Sequence, residues 1–155
     1  MSFNTPNGTR GVQLPPAAQM RPMNERAVAD IRAGGNGPFP GMNALVLITT
    51  GKKSGQLRET PVAYFQLEDG SYLIVASAAG AAKHPAWYFN LGAQPNHEAR
   101  IVVAGREMAV RAEELLGADR DALWQQITAQ SQGFAQYEQM TDRTIPLIRL
   151  FPIDD

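Results

Sequence analysis

The chain has 155 residues, 44% hydrophobic and 19% charged, enough for one compact domain with a real core and too few for two. Its 14 basic and 15 acidic residues leave a formal charge of -1, so no sequence-wide field draws it to nucleic acid or to an anionic membrane, and any anion site must be local. Cysteine is absent and only His84 and His97 are present, which excludes disulfides, thiol catalysis and thiolate metal sites and argues against any metal centre.

The first twenty residues lack a basic start followed by an apolar run, and nowhere do enough apolar residues stand together to span a bilayer. The expectation is a cytoplasmic protein, at most peripheral at the inner face of the cell membrane. Residues 1–19 are rich in Asn, Gly, Pro and Gln and read as a mobile arm or an extended segment lying on the domain. Pro22 suits a first helical turn, with Ala27, Val28 and Ile31 at helical spacing before Gly34-Gly35 ends a short helix. The arm and helix form one unit over 1–40, and the folded domain is expected over 41–155.

Ala44–Thr50 (ALVLITT) is a continuous, branched apolar run, the pattern of a strand buried on both faces. Gly51-Lys52-Lys53-Ser54-Gly55 breaks it, and a second strand runs from Arg58 to Leu67, with Pro61 confined to an edge or a bulge. Tyr72–Ser77 (YLIVAS) is another buried strand, after which Ala78–Ala82 make a small-residue loop. A short helix follows, with Pro85 in its first turn and Gly92 at its exit. Ile101–Val103 and Glu107–Ala112 read as a hairpin, and Asp119 is a candidate cap for a helix carrying Leu123, Trp124 and Ile127. Phe134–Met140 adds a helical turn or two, and Ile145–Phe151 closes the sheet. Short strands in hairpin order, with short helices between them, predict a mainly β, antiparallel barrel.

Three segments carry chemistry. Lys52, Lys53, Ser54 and Arg58 bring two ammonium groups, a hydroxyl and a guanidinium to one glycine-flanked turn, either an anion site or a solvated hairpin tip. Ala76 to His84 would let a flat ring lie on the backbone, with amide donors for its carbonyls, or would simply pack tightly; His84 itself is either a site residue or a helix cap. On the short helix Trp87 and Leu91 share a face, so Trp87, Tyr88 and Asn90 cannot all point inward.

Taken together, TTGKKSGxxRxTP, VAS with its small-residue loop, KHPxWYxNL and the terminal IPL strand resemble the deazaflavin-dependent nitroreductase family, also described as deazaflavin-dependent quinone reductases, over roughly residues 42–152. The resemblance implies a split β-barrel of the FMN-binding-protein type with short peripheral helices. Its cofactor would be coenzyme F-420, an 8-hydroxy-5-deazaflavin bearing a ribityl, a phosphodiester-linked lactate and a glutamate tail. It implies that Lys52, Lys53, Ser54 and Arg58 hold the phosphate and tail, and that Pro61 and Val62 border the ring. Ala76, Ser77 and Ala78 through Lys83 would run along the ring's edge, with His84, Trp87 and Tyr88 nearby. The reduced coenzyme would pass a hydride to a quinone, a nitroaromatic or a conjugated carbonyl compound, with Ser77, Tyr88 or Tyr137 positioning substrate or supplying a proton.

The chain departs from some relatives at Ala78, where they place lysine or asparagine, and at Ser131, Phe134 and Tyr137, where they carry a tyrosine cluster. Nitroimidazole activation therefore does not follow. An FMN-dependent split-barrel enzyme and a non-catalytic deazaflavin carrier are the competing readings, and either a monomer or a homodimer is compatible with the sequence.

Overall fold

Among the described residues, six strands and four helices make up most of the structure. The computed structural model describes residues 3–39 and 41–153; Met1 and Ser2 of the expected arm, Pro40 at its boundary, and Asp154 and Asp155 lie outside the described residues. The elements are α1 (Ala17–Arg32), β1 (Ala44–Thr50), β2 (Leu57–Gln66), β3 (Tyr72–Val75), α2 (Ala86–Ala93), β4 (Glu98–Val103), β5 (Arg106–Leu115), α3 (Gly117–Gln130), α4 (Gln132–Met140) and β6 (Leu147–Pro152). Short 3-10 turns at Ala78–Gly80 and Pro95–His97 flank α2.

The strands close into an antiparallel barrel in the order β1-β2-β3-β6-β5-β4, the last pairing back onto the first. Closure leaves no full-length edge exposed. Alternation sorts the side chains: Leu45, Leu47, Val62, Ile74, Ile101, Val110, Ala112, Ile148 and Leu150 share the core with Trp87, Tyr88 and Leu91 of α2. On the outer face, Val46, Ile48 and Val102 receive Val28 and Ile31 of α1. Leu73, Val75 and Leu147 receive Trp124, Ile127 and Phe134 of α3 and α4. Helices thus cover both outer patches, which is why β1 and β3 read as continuously apolar runs.

The β2–β3 ladder covers only Tyr64↔Ile74 to Gln66↔Tyr72, whereas β2 stays paired with β1 through Leu57. Pro61, opposite Val46, therefore lies where β2 has a neighbour on one side only, the local edge that a residue without an N–H requires. Between Pro61-Val62 and Ala76-Ser77 the barrel wall is split.

Two helix starts differ from the sequence expectation. α1 begins at Ala17, capped by Pro16, so Pro22 lies inside a 16-residue helix rather than in its first turn. Its missing N–H is tolerated because this stretch is exposed and the freed carbonyl meets solvent. α3 begins at Gly117 with Leu116 at the cap position, and Asp119 sits in the first turn, where its charge suits the helix dipole without capping.

Leu47 and Ile74 are fully buried, whereas Leu57 is 72% exposed. Leu47→Ala or Ile74→Ala should lower unfolding free energy by about 2–5 kcal/mol, and Leu57→Ala should change it by no more than about 0.5 kcal/mol, both read from urea denaturation midpoints.

Candidate active site

The residues singled out by sequence gather at one mouth of the barrel, formed by the C-terminal ends of β1, β3 and β5 and the N-terminal ends of β2, β4 and β6. The β1–β2 turn rises from this mouth, α2 caps it, and α1 flanks it. Between them lies a cleft of about 980 Å³, walled by Lys52, Lys53, Ser54 and Arg58 of the turn, Trp87 and Asn90 of α2, and Arg21 and Arg32 of α1.

The turn is built locally and then tied to α2. The Gly51 N–H donates to Gln56 O at 2.7 Å, and Gly55, at φ 72°, takes a backbone conformation that L side chains rarely adopt. Arg58 donates to Ser54 Oγ at 3.4 Å. From α2, Asn90 accepts the Lys52 N–H at 2.9 Å and donates to Thr49 Oγ1 at 3.3 Å, so a buried amide fixes the height of the turn above the mouth. Lys52, Lys53 and Arg58 are exposed, and among the described residues none has a carboxylate partner; Glu59 beside them is held by Arg32. Lys52, Lys53 and Arg58, with Arg21 of α1, thus face one cleft without ion-pair partners among the described residues, and Glu25 of α1 is a carboxylate in the same lining.

Deeper at the same mouth are Pro61 and Val62, both buried, and across the split Ala76 and Ser77, also buried, followed by half-buried Ala78. The loop after β3 is strained: Ala78 and Ala79 stand at φ 44° and 53°, left-handed conformations costing about 1–2 kcal/mol each in a residue with a Cβ. The buried guanidinium of Arg143, from the segment between α4 and β6, holds this shape. It donates to the carbonyls of Ser77 at 2.6 Å, Ala81 at 2.8 Å and Ala76 at 3.0 Å, and to His84 Nδ1 at 2.9 Å. Burial pulls its pKa down to about 10, which leaves it charged at neutral pH. Charge-assisted hydrogen bonds of this kind contribute about 1.5–3 kcal/mol each and offset the strain.

His84 does not cap a helix; α2 starts after Pro85 without a side-chain cap. With Nδ1 accepting from Arg143, Nε2 carries the proton and donates to Thr5 O at 2.8 Å. Tyr88 is fully buried; its hydroxyl donates to Glu114 Oε1 at 2.9 Å and accepts the Thr5 N–H at 3.1 Å. Burial first, then the Glu114 carboxylate, pushes this phenol up to about 12 against the opposing pull of Thr5. Glu114 also accepts the Phe3 N–H and Thr5 Oγ1. Residues 3–12 run over the mouth as an extended strap, donating from Gly8 to Ala82 O and from Val12 to Gly80 O, and a Cβ on Gly11 would overlap the backbone of Ala82.

Lys83 is exposed on the loop, outside the cleft lining, and Tyr137 is half-buried on α4 against Phe134, with its carbonyl over Gly80. Trp87 and Asn90 are both buried and both face the cleft, and Tyr88 points to the other side of the cap. Sequence reasoning missed Arg143, Glu114, Thr5 and the α1 wall. Thr5 and Arg143 lie 79 and 59 residues from His84 along the chain, and no local pattern announces either contact. Among the described residues no cluster of His, Cys, Asp and Glu could hold a metal ion.

These features define a six-stranded antiparallel barrel with a cationic cleft and a narrow, small-residue split at one mouth, a geometry with the shape and charge to suit a flat, anionic ligand. The chain belongs to the F-420H(2)-dependent quinone reductase family, whose model it matches over residues 21–152. It is 37% identical over 110 residues to an F-420H(2)-dependent quinone reductase of Mycobacterium tuberculosis, covering 69% of this chain and 72% of that one. A solved F420-H2 dependent reductase is 34% identical, with a TM-score of 0.59, covering 69% of this chain and 92% of the other. A second solved relative, described as a domain-swapped dimer, is 30% identical with a TM-score of 0.61, covering 88% and 99%.

Burial, then the adjacent Arg143 charge, lowers the His84 pKa, while the Thr5 and Pro6 carbonyls and the Glu114 charge oppose that shift. The folded state therefore disfavours a proton that the unfolded chain accepts near pH 6.5, so stability is full above about pH 6.5 and is lost as pH falls below it. Asp69 and Asp142, each lowered to about 2 by hydrogen bonds to Ser71 and to Thr9, act only further into acid. Urea midpoints should fall between pH 7 and 5 in the wild type, and His84→Gln should flatten that slope.

Proposed function

We propose that this chain is a reductase in which reduced coenzyme F-420 gives a hydride to a quinone-class acceptor at the mouth of the barrel. The observation that carries the reading is the cluster of Lys52, Lys53 and Arg58, without ion-pair partners among the described residues, facing a cleft whose wall follows β2 as far as Thr60, next in the chain to Pro61 at the split. The fit to the coenzyme is chemical. A phosphodiester and a carboxylate tail meet three cations and the Ser54 hydroxyl, while a planar ring meets Pro61, Val62, Ala76, Ser77 and Ala78, none of which projects far. Arg58 and Val62 are four residues apart on one strand face, about 13 Å at strand rise, which separates the anion end from the ring end.

The coenzyme supplies two-electron chemistry when bound. The protein's share is placement, charge and exclusion of water. Lys52, Lys53, Ser54 and Arg58 hold the anionic chain, with the turn fixed by Asn90. Trp87, buried but part of the cleft wall, would bound the coenzyme's space on the α2 side. His84 and Tyr88 act from behind, through Arg143 and Glu114. Ser77 and Tyr137 remain the candidates for positioning the acceptor or supplying a proton, since the Tyr88 hydroxyl is engaged on both sides. Lys83, exposed beside the loop, adds a cation at the entrance. Of the described residues, 3–39 would serve as cover and cleft wall, and 41–153 as the coenzyme-binding barrel.

Among the described residues no helix is long and apolar enough to cross a membrane. We propose a cytoplasmic enzyme with at most peripheral membrane contact. The relative described as a domain-swapped dimer supports a homodimer here.

Titration of the purified protein with oxidised F-420 and, in parallel, with FMN should give saturable fluorescence change with the deazaflavin alone, and a menaquinone analogue should reoxidise the reduced complex. Binding of FMN alone would transfer the reading to a flavin enzyme, and binding without reoxidation by any acceptor would make the chain a carrier. Lys53→Ala and Arg58→Ala should each weaken F-420 binding at least about tenfold while the melting temperature barely moves, because removing an exposed charge costs at most about 0.5 kcal/mol of stability. Equal loss of binding and of stability would contradict the assignment.

A further inference from the structure

The buried Arg143 has no carboxylate partner among the described residues, yet it remains charged, surrounded by three carbonyls and a neutral imidazole. A trans peptide is planar, so each carbonyl turned towards the guanidinium turns the N–H of the next residue the opposite way. The carbonyls of Ala76 and Ser77 therefore aim the N–H groups of Ser77 and Ala78 away from Arg143. Alternation agrees: the Ala76 N–H bonds to Pro146 O on the β6 side, so the Ser77 N–H faces the β2 side, where the ladder has ended and Pro61 and Val62 stand across the gap. Among the described residues neither the Ser77 nor the Ala78 N–H has a protein acceptor. Two unmet donors at a buried and a half-buried residue thus face the split.

We propose that Arg143 is a positioning residue for the bound deazaflavin: it holds the Ala76–Ala81 loop so that the Ser77 and Ala78 N–H groups meet the oxygen-bearing edge of the ring, and its charge behind the loop favours the ring's anionic form. The proposal rests on the deazaflavin reading. The geometry assigns Arg143 no contact with the ring; it acts through peptide dipoles pointing from the guanidinium into the split, which strengthen both amide donors. The neutral His84 and the strap residue Thr5 complete its surroundings, and the Glu114 carboxylate on the far side of Tyr88 is the nearest opposing charge that acts on His84.

The test reads coenzyme affinity by fluorescence and the ionisation of the bound ring hydroxyl by absorbance against pH. Ser77 stands at φ -77° and ψ -34°, which proline adopts, so Ser77→Pro deletes one N–H at a position whose own dihedrals proline accepts. Ser77→Pro should bind oxidised F-420 at least about tenfold more weakly than Ser77→Ala, which retains the N–H. In the wild-type complex the ring hydroxyl should ionise at lower pH than in the free coenzyme. Arg143→Gln should return it towards the free value, and Arg143→Lys, which keeps the charge and loses the planar fork, should keep the lowered value while weakening affinity. Equal affinity of Ser77→Pro and Ser77→Ala would overturn the proposal, as would a bound hydroxyl that ionises no lower than the free one; both readouts stand if Arg143→Gln does not fold. Absence of F-420 binding to the wild type would instead overturn the deazaflavin reading beneath it.

Discussion

Closing a barrel mouth with polar groups demands that every one of them be partnered, and here Thr5 carries that burden. Its carbonyl accepts from His84, its N–H donates to the Tyr88 hydroxyl, and its own hydroxyl donates to Glu114. A buried cation, Arg143, and a buried anion, Glu114, are thereby linked through one strap residue rather than paired directly. Charges separated in this way keep their fields, and a satisfied polar layer of this kind also specifies a single arrangement of the elements that contribute to it. Strap, α2, β5 and the segment before β6 all meet in that layer, so the height and tilt of the α2 cap follow from it.

From that cap the working surface follows. Asn90 hangs the cationic turn from α2, and Trp87 forms the wall beneath it. Arg143 fixes the strained loop on the other side of the split. The barrel supplies rigidity, with fully buried aliphatic residues inside and helices on its outer patches. Between β2 and β3 the ladder ends at Tyr64↔Ile74, which leaves the backbone of Pro61-Val62 and Ala76-Ser77 without strand pairing across that seam. The cationic turn and the loop after β3 are held by different buried polar groups, so each can be altered with little effect on the other.

Much of this was legible in the chain. Ala44–Thr50 is the strand that its apolar run announced, because burial on both faces leaves no polar position to blur its ends. The short helix after Pro85 and the β4–β5 hairpin were also readable, though β5 extends to Leu115, beyond the alternating stretch that marks it, since Glu114 is buried by pairing with Tyr88 and a charge inside a barrel looks like a strand end. Pro22 misled because a proline in a first turn and a proline in an exposed helical interior look alike in sequence. Lys52, Lys53, Ser54 and Arg58 were visible as a cluster because their contacts are local. Arg143, Glu114 and Thr5 were not, because the meaning of each depends on partners brought near only by barrel closure.

The measurement that tests the account most directly is a crystal structure of the protein with oxidised coenzyme F-420. The account predicts the phosphodiester among Lys52, Lys53, Ser54 and Arg58, with the ring in the split between Pro61-Val62 and Ala76-Ser77 and its oxygens on the Ser77 and Ala78 N–H groups. A coenzyme bound elsewhere on the barrel, or with its ring outside the split, would contradict it.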